Sequence, residues 1–243
     1  MQSHLLKLND DKTELLIITK PKVDLHITIE VGNCNITSTP FIRNLGILFD
    51  RHLSFQNQVD KLVQVLSYQL RLLAQIRRKL TDQACHMFLQ YYFCSKLEYC
   101  IALLNGTSNS TLYKLQKLQK RAARILSGHP YRHLITPTLN NLGWLKIHNL
   151  VKYKILLLTF KCRRGLAPAY ICDNIKLYVP PRGLRSHDQG LLSVPQTKTA
   201  YGYRAFSVSA PRRFNDLPLE IRNLTTLYCF KNAVYNYLLN TQF

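Results

Sequence analysis

The sequence predicts an α+β protein that is mainly α, with a small N-terminal β unit, a helical bundle and a mixed C-terminal extension. Residues 13 to 49 contain short apolar or β-branched runs separated by turn signals, a pattern typical of strands. From residue 55 onward, apolar residues recur at three- and four-residue spacing, which is typical of amphipathic helices. With 243 residues and 47% apolar content, the chain can form one large domain or two small ones.

Three apolar runs build the predicted β unit, namely TELLIIT at 13–19, LHITIEV at 25–31 and FIRNLGILF at 41–49. A Lys-Pro-Lys turn signal at 20–22 separates the first two runs. Gly46 lies in the middle of the third run, which predicts a bulge or the close approach of another backbone. We therefore expect extended structure through most of this segment.

Five helices are expected after the β unit, each with a start or stop signal. The expected spans are, in order, 55–76 after a Ser54 cap, 81–104 opened by Thr81 and ended by Asn105-Gly106, 110–128 between a Ser110 cap and Gly128, 147–164 before Gly165, and 225–240. Residues from about 176 to 218 are rich in Pro, Gly, Arg and Ser, so loops and short extended pieces are expected there.

The charge of the chain is strongly positive. It carries 33 Lys and Arg against 13 Asp and Glu, a formal net charge of +20. Between Glu98 and Asp173 there is no acidic residue, while twelve Lys or Arg occur. Self-repulsion on this scale disfavours a compact state, so a polyanionic partner is expected. Nucleic acid is the first candidate and an anionic membrane surface is the second.

The positive charge is concentrated in YKLQKLQKRAARILSG, residues 113–128, which contains no acid. Four of its cations, Lys114, Lys117, Arg121 and Arg124, recur at i, i+3, i+7 and i+10 and form a stripe separate from the apolar face. Exposed helix faces usually carry both acidic and basic residues, because oppositely charged side chains on successive turns form pairs. The stripe is therefore either a solvated face or a nucleic-acid-binding face. The predicted binding residues are Lys114, Lys117, Lys120, Arg121, Arg124 and Arg132.

Motifs for catalysis or metal binding are absent from the sequence. Asp10-Asp11 is the only adjacent acidic pair, and its N-D-D-K context suits a turn or a cap as readily as a metal site. No glycine-rich phosphate loop and no G-x-S-x-G elbow occurs. His129 and His133 flank Pro130 without a third ligand, which favours a solvated or phosphate-facing pair. We expect no metal site and no catalytic residue.

The cysteines and the apolar runs indicate where the protein resides. Seven cysteines are scattered without a C-x-x-C pair, so free thiols are expected. No apolar run approaches the roughly 18 residues that a membrane span needs. We therefore expect an intracellular protein of the nucleus or the cytoplasm, without membrane association.

Ordered blocks along the chain resemble one family. KLNDDKTELLII at 7–18 resembles the N-x-x-K-T-E segment late in the palm of non-LTR, LINE-type retrotransposon reverse transcriptases. NLGILFD at 44–50 resembles the strand that follows, beside the primer grip. Further blocks similar to elements of the Jockey and Rex-Babar kind are SKLEYC at 95–100, LQKRAAR at 118–124, HLITP at 133–137, GLAPAY at 165–170, LLSVP at 191–195 and RAFSVSAPRRFNDLP at 204–218. The chain departs from the family's usual residues at Lys96, Glu98 and Phe214.

The resemblance implies three regions, which are the end of the palm at 1–52, a thumb-like helical region at 53–130 and a C-terminal extension at 131–243. The family's RNA-directed DNA polymerase holds Mg²⁺ with the aspartates of an upstream Phe/Tyr-x-Asp-Asp box, which this sequence lacks. Lys12 matches the palm lysine near the departing pyrophosphate, but the aspartates it would assist are missing. The resemblance therefore implies no enzyme activity and no cofactor for this chain.

Three functions fit these observations. The first is an inactive fragment of a retrotransposon reverse transcriptase that still binds RNA or DNA backbone, as the parent enzyme binds a primer-template duplex. The second is a retained host protein that uses the same surface as a nucleic-acid-binding or protein-interaction module. The third is a separate enzyme with an unrecognised site. No oligomeric state is predicted.

Overall fold

A computed structural model of the chain describes residues 9, 12–19, 26–32, 34–130, 132–180 and 190–242. The chain forms two compact units, Met1–Val65 and Leu66–Phe243. The first unit holds the strands and the second is helical, so the mainly α fold with a small N-terminal β part is confirmed. The boundary between the units falls inside the first helix, and the second unit contains most of the predicted region 53–130 and all of 131–243.

The first unit contains two antiparallel hairpins, each a two-stranded sheet. In the first hairpin Thr28 lies opposite Thr37, and in the second Phe41 lies opposite Asp50. The run at 13–19 forms no strand, since Leu15 makes only an isolated bridge to Ser38. The Lys-Pro-Lys signal lies outside the described residues. The strands are β1 (Thr28–Val31), β2 (Cys34–Thr37), β3 (Phe41–Asn44) and β4 (Ile47–Asp50).

Gly46 occupies the turn between β3 and β4, so the predicted bulge is wrong. Leu45 and Gly46 have φ angles of 48° and 83°, which places both residues in the left-handed region. Two-residue hairpin turns require this conformation because it matches the twist of the flanking strands. The sequence did not reveal this turn because Leu45 is apolar and looks like part of the strand run. In the structure Leu45 is 83% exposed.

The apolar side chains of the hairpins are only partly covered. Ile29 and Phe41 remain 39% and 48% exposed. Among the described strand residues, Ile47 alone is buried. The hairpins therefore contribute little to a core of their own.

Asp50 organises the passage from β4 into the first helix. Its carboxylate accepts hydrogen bonds from the backbone amides of His52, Ser54 and Phe55, at 3.0, 3.0 and 2.8 Å. The Ser54 hydroxyl accepts a hydrogen bond from the amide of Gln56, the first helical residue, at 3.3 Å. Both side chains thus satisfy amides that a helix start leaves unpaired.

Helices make up nearly all of the regular structure in the second unit. None of the described helices is both long enough and apolar enough to cross a membrane. The helical segments are α1 (Gln56–Ile76), a 3₁₀ turn (Arg77–Lys79), α2 (Asp82–Phe88), a π-helical segment (Leu89–Cys94), α3 (Ser95–Glu98), a 3₁₀ turn (Ile101–Leu104), α4 (Asn109–Ser127), α5 (Thr136–Asn141), α6 (Ile147–Arg163), α7 (Ala169–Cys172), α8 (Ala200–Arg204), α9 (Phe206–Asn215), α10 (Leu219–Arg222) and α11 (Leu227–Asn240).

Two predicted spans differ from this structure. The second predicted helix does not continue to Leu104, because the chain leaves the helix after Glu98 and Cys100 takes a left-handed φ of 54°. The predicted loops at 176–218 are wrong for residues 200–215, which form α8 and α9. Pro211 lies inside α9, and a proline inside a helix removes the usual sequence signal.

The core of the second unit is centred on three phenylalanines. Phe160 of α6 stacks on Phe230 of α11 with ring centroids 4.2 Å apart, and Phe214 of α9 lies 6.1 Å from Phe230. All three rings are completely buried. They hold α6, α9 and α11 together.

All seven cysteines are free thiols. Cys85 and Cys162 are buried, whereas Cys100 and Cys229 are exposed. Burial raises the pKa of the Cys94 and Cys162 thiols to about 11, so both are protonated at neutral pH.

Helix α4 is capped two residues earlier than the predicted Ser110 cap. Ser108 is the cap, and its hydroxyl accepts a hydrogen bond from the amide of Thr111 at 3.2 Å. Ser110 is the second residue of the helix.

Replacing Ser108 by Ala is expected to lower the free energy of unfolding by about 1 kcal/mol, because the Thr111 amide loses its acceptor. Replacing Ser110 by Ala, the matched control in the same turn, is expected to change it by less than about 0.5 kcal/mol. Urea denaturation of both variants measures the difference. A larger loss of stability in the Ser110 variant would contradict the assignment of the cap.

Candidate nucleic-acid interface

The buried side of α4 fixes the orientation of the helix in the second unit. It packs against α2, α5 and α6. Leu115, Ala122 and Ala123 are completely buried. The buried residues occupy an arc of roughly 140° when successive residues are placed 100° apart around the axis. The full set of buried residues is Thr111, Leu112, Leu115, Leu118, Gln119, Ala122, Ala123 and Leu126.

The opposite side of α4 carries the predicted cations, which we call the basic face. At 100° per residue, the four cations of the stripe fall within an arc of roughly 80° centred opposite the buried arc. Lys117 and Arg121 are exposed, and the other members on the helix are half-buried. The structure thus brings five of the six predicted residues onto one helix side: Lys114, Lys117, Lys120, Arg121 and Arg124.

Three cations of the basic face carry charge that no described carboxylate compensates. Among the described residues, no carboxylate pairs with Lys117, Lys120 or Arg121. The Lys117 ammonium lies over the ring of Tyr113, 4.9 Å from its centroid, which orients the side chain without neutralising it. A face of this kind attracts a polyanion.

The acids that border this part of the chain are paired elsewhere. Asp82 binds the guanidinium of Arg77. Glu98 binds the ammonium of Lys154, with 2.6 Å between Oε2 and Nζ. Each of these carboxylates thus has a cation partner outside the basic face.

The two glutamines of the YKLQKLQKRAARILSG segment have a structural role. Gln119 is buried, and its side-chain nitrogen donates to the carbonyl of Leu145 at 2.8 Å. Gln116 donates to the Gln119 side-chain oxygen at 2.7 Å and accepts from the amide of Ile147 at 2.9 Å. This relay fastens α4 to the first residue of α6. The sequence signal for the burial of Gln119 was its spacing, because it lies four residues after Leu115 and three before Ala122 on the apolar side of the helix.

Arg77 holds the other end of α4. Its Nε donates to the carbonyl of Ile125 at 2.9 Å, and one Nη donates to the carbonyl of Leu126 at 3.1 Å. A cation at the last carbonyls of a helix satisfies free acceptors and favours the helix dipole. Gly128, with a φ of 67°, ends the helix as the sequence predicts.

The segment after α4 holds the sixth predicted residue. Arg132 is exposed and lies beyond the end of the helix. The rings of His129 and His133 stack on each other, with centroids 4.0 Å apart and an interplanar angle of 11°. Within the part of the chain that the structure describes, no group of three or more His, Cys, Asp or Glu is placed to hold a metal ion.

Lys12 lies in the first unit and is exposed. Its backbone amide donates to both the carbonyl and the side-chain oxygen of Asn9 at 3.2 Å. The Asp10-Asp11 pair lies outside the described residues. Lys12 thus lies in a turn, and no catalytic group among the described residues contacts its ammonium.

Comparison with protein-family models, with curated proteins and with solved structures finds no match to this chain. A function for the chain therefore has to follow from the charge and geometry of its own residues.

Proposed function

We propose that this chain binds the phosphate backbone of nucleic acid through the basic face of α4, without reading base sequence. The observation that carries the proposal is the set of cations aligned opposite a buried arc, with no carboxylate paired to Lys117, Lys120 or Arg121 among the described residues. Neutralising phosphates with such cations releases condensed counterions, which is the main source of affinity in sequence-independent binding.

The chemistry of the face favours backbone contacts over base recognition. Glutamine recognises adenine with a bidentate pair, but Gln116 and Gln119 are committed to internal hydrogen bonds. The charged groups on the basic face are lysine and arginine, which contact phosphate irrespective of sequence. The basic face is therefore suited to contact the backbone of a strand or a duplex at any position along it.

We further infer that the chain is related to the late palm, thumb and C-terminal extension of a LINE-type reverse transcriptase. The sequence blocks support this relation, and so does the order of elements, with β hairpins followed by α1, α2, α3 and α4. In the parent enzyme the thumb would face a primer-template duplex. The basic face would then be the thumb surface that follows the duplex backbone.

Fluorescence anisotropy with labelled 20-base-pair duplexes tests the proposed binding. Two DNA duplexes of unrelated sequence and one RNA–DNA hybrid are titrated with the full chain between 50 and 200 mM salt. The dissociation constants of the two DNA duplexes are expected to agree within about threefold, and log K should fall linearly with log salt. Strong preference for one duplex, or tight binding to polyglutamate that duplex does not displace, would instead favour a protein-interaction module.

No primer extension is expected from the purified chain on an RNA or DNA template, with either Mg²⁺ or Mn²⁺. Phosphoryl transfer by polymerases depends on metal ions held by clustered carboxylates. The sequence lacks the aspartate box that would supply them. Denaturing gels of a labelled primer provide the measurement, and reproducible extension that copurifies with the chain would contradict the proposal.

A further inference from the structure

A cavity of about 470 Å³ in the second unit is lined by the Asn105-Gly106 turn and by residues of α8 and α9. We call it the arginine pocket because three arginines line it. The wall residues that the argument uses are Asn105, Gly106, Arg204, Ser209, Arg212 and Arg213.

The arginines are held in place by groups that leave their charge intact. Arg213 donates from Nη2 to the side-chain oxygen of Asn105 at 2.8 Å. The Arg212 guanidinium lies over the Tyr203 ring, 5.0 Å from its centroid. Among the described residues none of the three arginines forms an ion pair, and Asp216 is the single carboxylate that lines the pocket. The pocket wall is therefore preorganised and positive.

The neighbourhood already penalises positive charge. Burial lowers the pKa of the Arg213 guanidinium, and the nearby Asp216 carboxylate offsets part of this shift. The pKa of the Lys152 ammonium is lowered mainly by burial and to a smaller extent by the positive charge of Arg213. The pKa of His148 is also lowered mainly by burial, and the charges of Lys152 and Arg213 lower it further. An anion in the pocket would relieve this repulsion.

Ser209 offers an unused hydrogen-bond donor in the wall. The residue is 7% exposed, and its buried hydroxyl has no hydrogen-bond partner among the described residues. A buried hydroxyl without a partner is costly, and such groups in native structures usually have a ligand, ion or water to bind. An oxyanion in the pocket would supply the missing acceptor.

Gly106 allows Arg204 to lie against the turn. A Cβ atom at this position would be 2.4 Å from Cγ of Arg204, and the φ of Gly106 is +74°. Asn105 continues the same contact, because its side-chain nitrogen donates to the Arg204 carbonyl at 3.0 Å. The Asn-Gly pair is thus part of the wall as well as the end of a helical segment.

From these contacts we propose that the arginine pocket binds a phosphate group, as a monoester or a diester, independently of the basic face. Guanidinium groups match phosphate oxygens with paired N–H donors, and the Ser209 hydroxyl adds a further donor. Either a free phosphate compound or a nucleic-acid strand can present that group.

The test follows the amide signals of Gly106 and Ser209 by NMR in the ¹⁵N-labelled full chain. Inorganic phosphate is titrated at constant ionic strength, and both signals are expected to shift saturably. The Arg204→Gln/Arg212→Gln variant is expected to raise the dissociation constant at least about tenfold, since it removes two charge-assisted hydrogen-bond donors. Lys161→Gln/Lys231→Gln, which removes two exposed cations from α6 and α11, is the charge-matched control and should bind phosphate unchanged.

Decathymidylate with and without a 5′-phosphate then identifies the source of the group. Displacement of inorganic phosphate by the oligonucleotide assigns the pocket to a strand, and failure to displace it assigns the pocket to free phosphate compounds. Lys117→Gln/Arg121→Gln should leave phosphate binding intact, which separates this site from the basic face. The absence of saturable shifts, or equal affinity in a folded Arg204→Gln/Arg212→Gln variant, would overturn the proposal.

Discussion

Replacing Lys117 and Arg121 together by Gln is expected to flatten the salt dependence of duplex binding by about 1.8 in d log K/d log salt, or about 0.9 for each phosphate that the variant no longer neutralises. The same relation makes one neutralised phosphate worth about a factor of eight in affinity at 0.1 M salt. Removing both cations should therefore weaken binding by about 60-fold under those conditions. Anisotropy titrations from 50 to 200 mM salt measure both quantities.

The double variant is expected to keep its fold. Lys117 and Arg121 are exposed and have no carboxylate partner among the described residues, so no ion pair is broken. Glutamine has nearly the same helix propensity as lysine and arginine. The substitution removes only the interaction of the Lys117 ammonium with the Tyr113 ring, and such exposed interactions contribute about 0.5–1 kcal/mol. The circular dichroism spectrum should be unchanged.

A charge-matched control separates a local effect from the general effect of net charge. Lys161→Gln/Lys231→Gln also removes two exposed cations but leaves α4 untouched. This control should keep the salt slope within about 0.3 of that of the original chain. Equal slopes in both double variants would show that the basic face is only solvated.

Replacing Phe230 by Ala is expected to lower the free energy of unfolding by about 3–5 kcal/mol. The ring is completely buried and stacks on Phe160 and Phe214, so its removal leaves a cavity between α6, α9 and α11. Urea denaturation should show a lower midpoint with little change in the m-value.

Tyr228 provides the control for this substitution. It lies on the same helix and is 75% exposed, so Tyr228→Ala should change stability by less than about 1 kcal/mol. A destabilisation below about 1 kcal/mol for the Phe230 variant would mean that α11 does not form the core that the structure describes.

Local signals explain which helices the sequence predicted well. Helix α6 ends at Arg163, one residue from its predicted end, because Gly165 follows an uninterrupted apolar pattern. Helix α4 ends at Ser127 because Gly128 takes the left-handed conformation. These signals depend on a few neighbouring residues, so they can be read without knowledge of the fold.

Features that depend on distant residues were not predictable in this way. The run at 13–19 would be a strand only if a partner paired along its length, and the structure describes a single bridge there, between Leu15 and Ser38. The relay of Gln116 and Gln119 depends on residues 145–147, and the arginine pocket depends on residues 105–106 meeting residues 200–216. The basic face was predictable because charge periodicity on one helix is a local property. The role of Gln116 and Gln119 on the same helix was not predictable, because their partners are distant in the sequence.

The uninterrupted course of α4 would set the number of phosphates that its basic face contacts in the proposed complex. From Lys114 to Arg124 the helix rises about 15 Å at 1.5 Å per residue. One strand of duplex carries a phosphate about every 3.4 Å of axis, so this length corresponds to about four phosphates. The contact would therefore span less than half a turn of duplex, and binding stoichiometry should rise in proportion to duplex length.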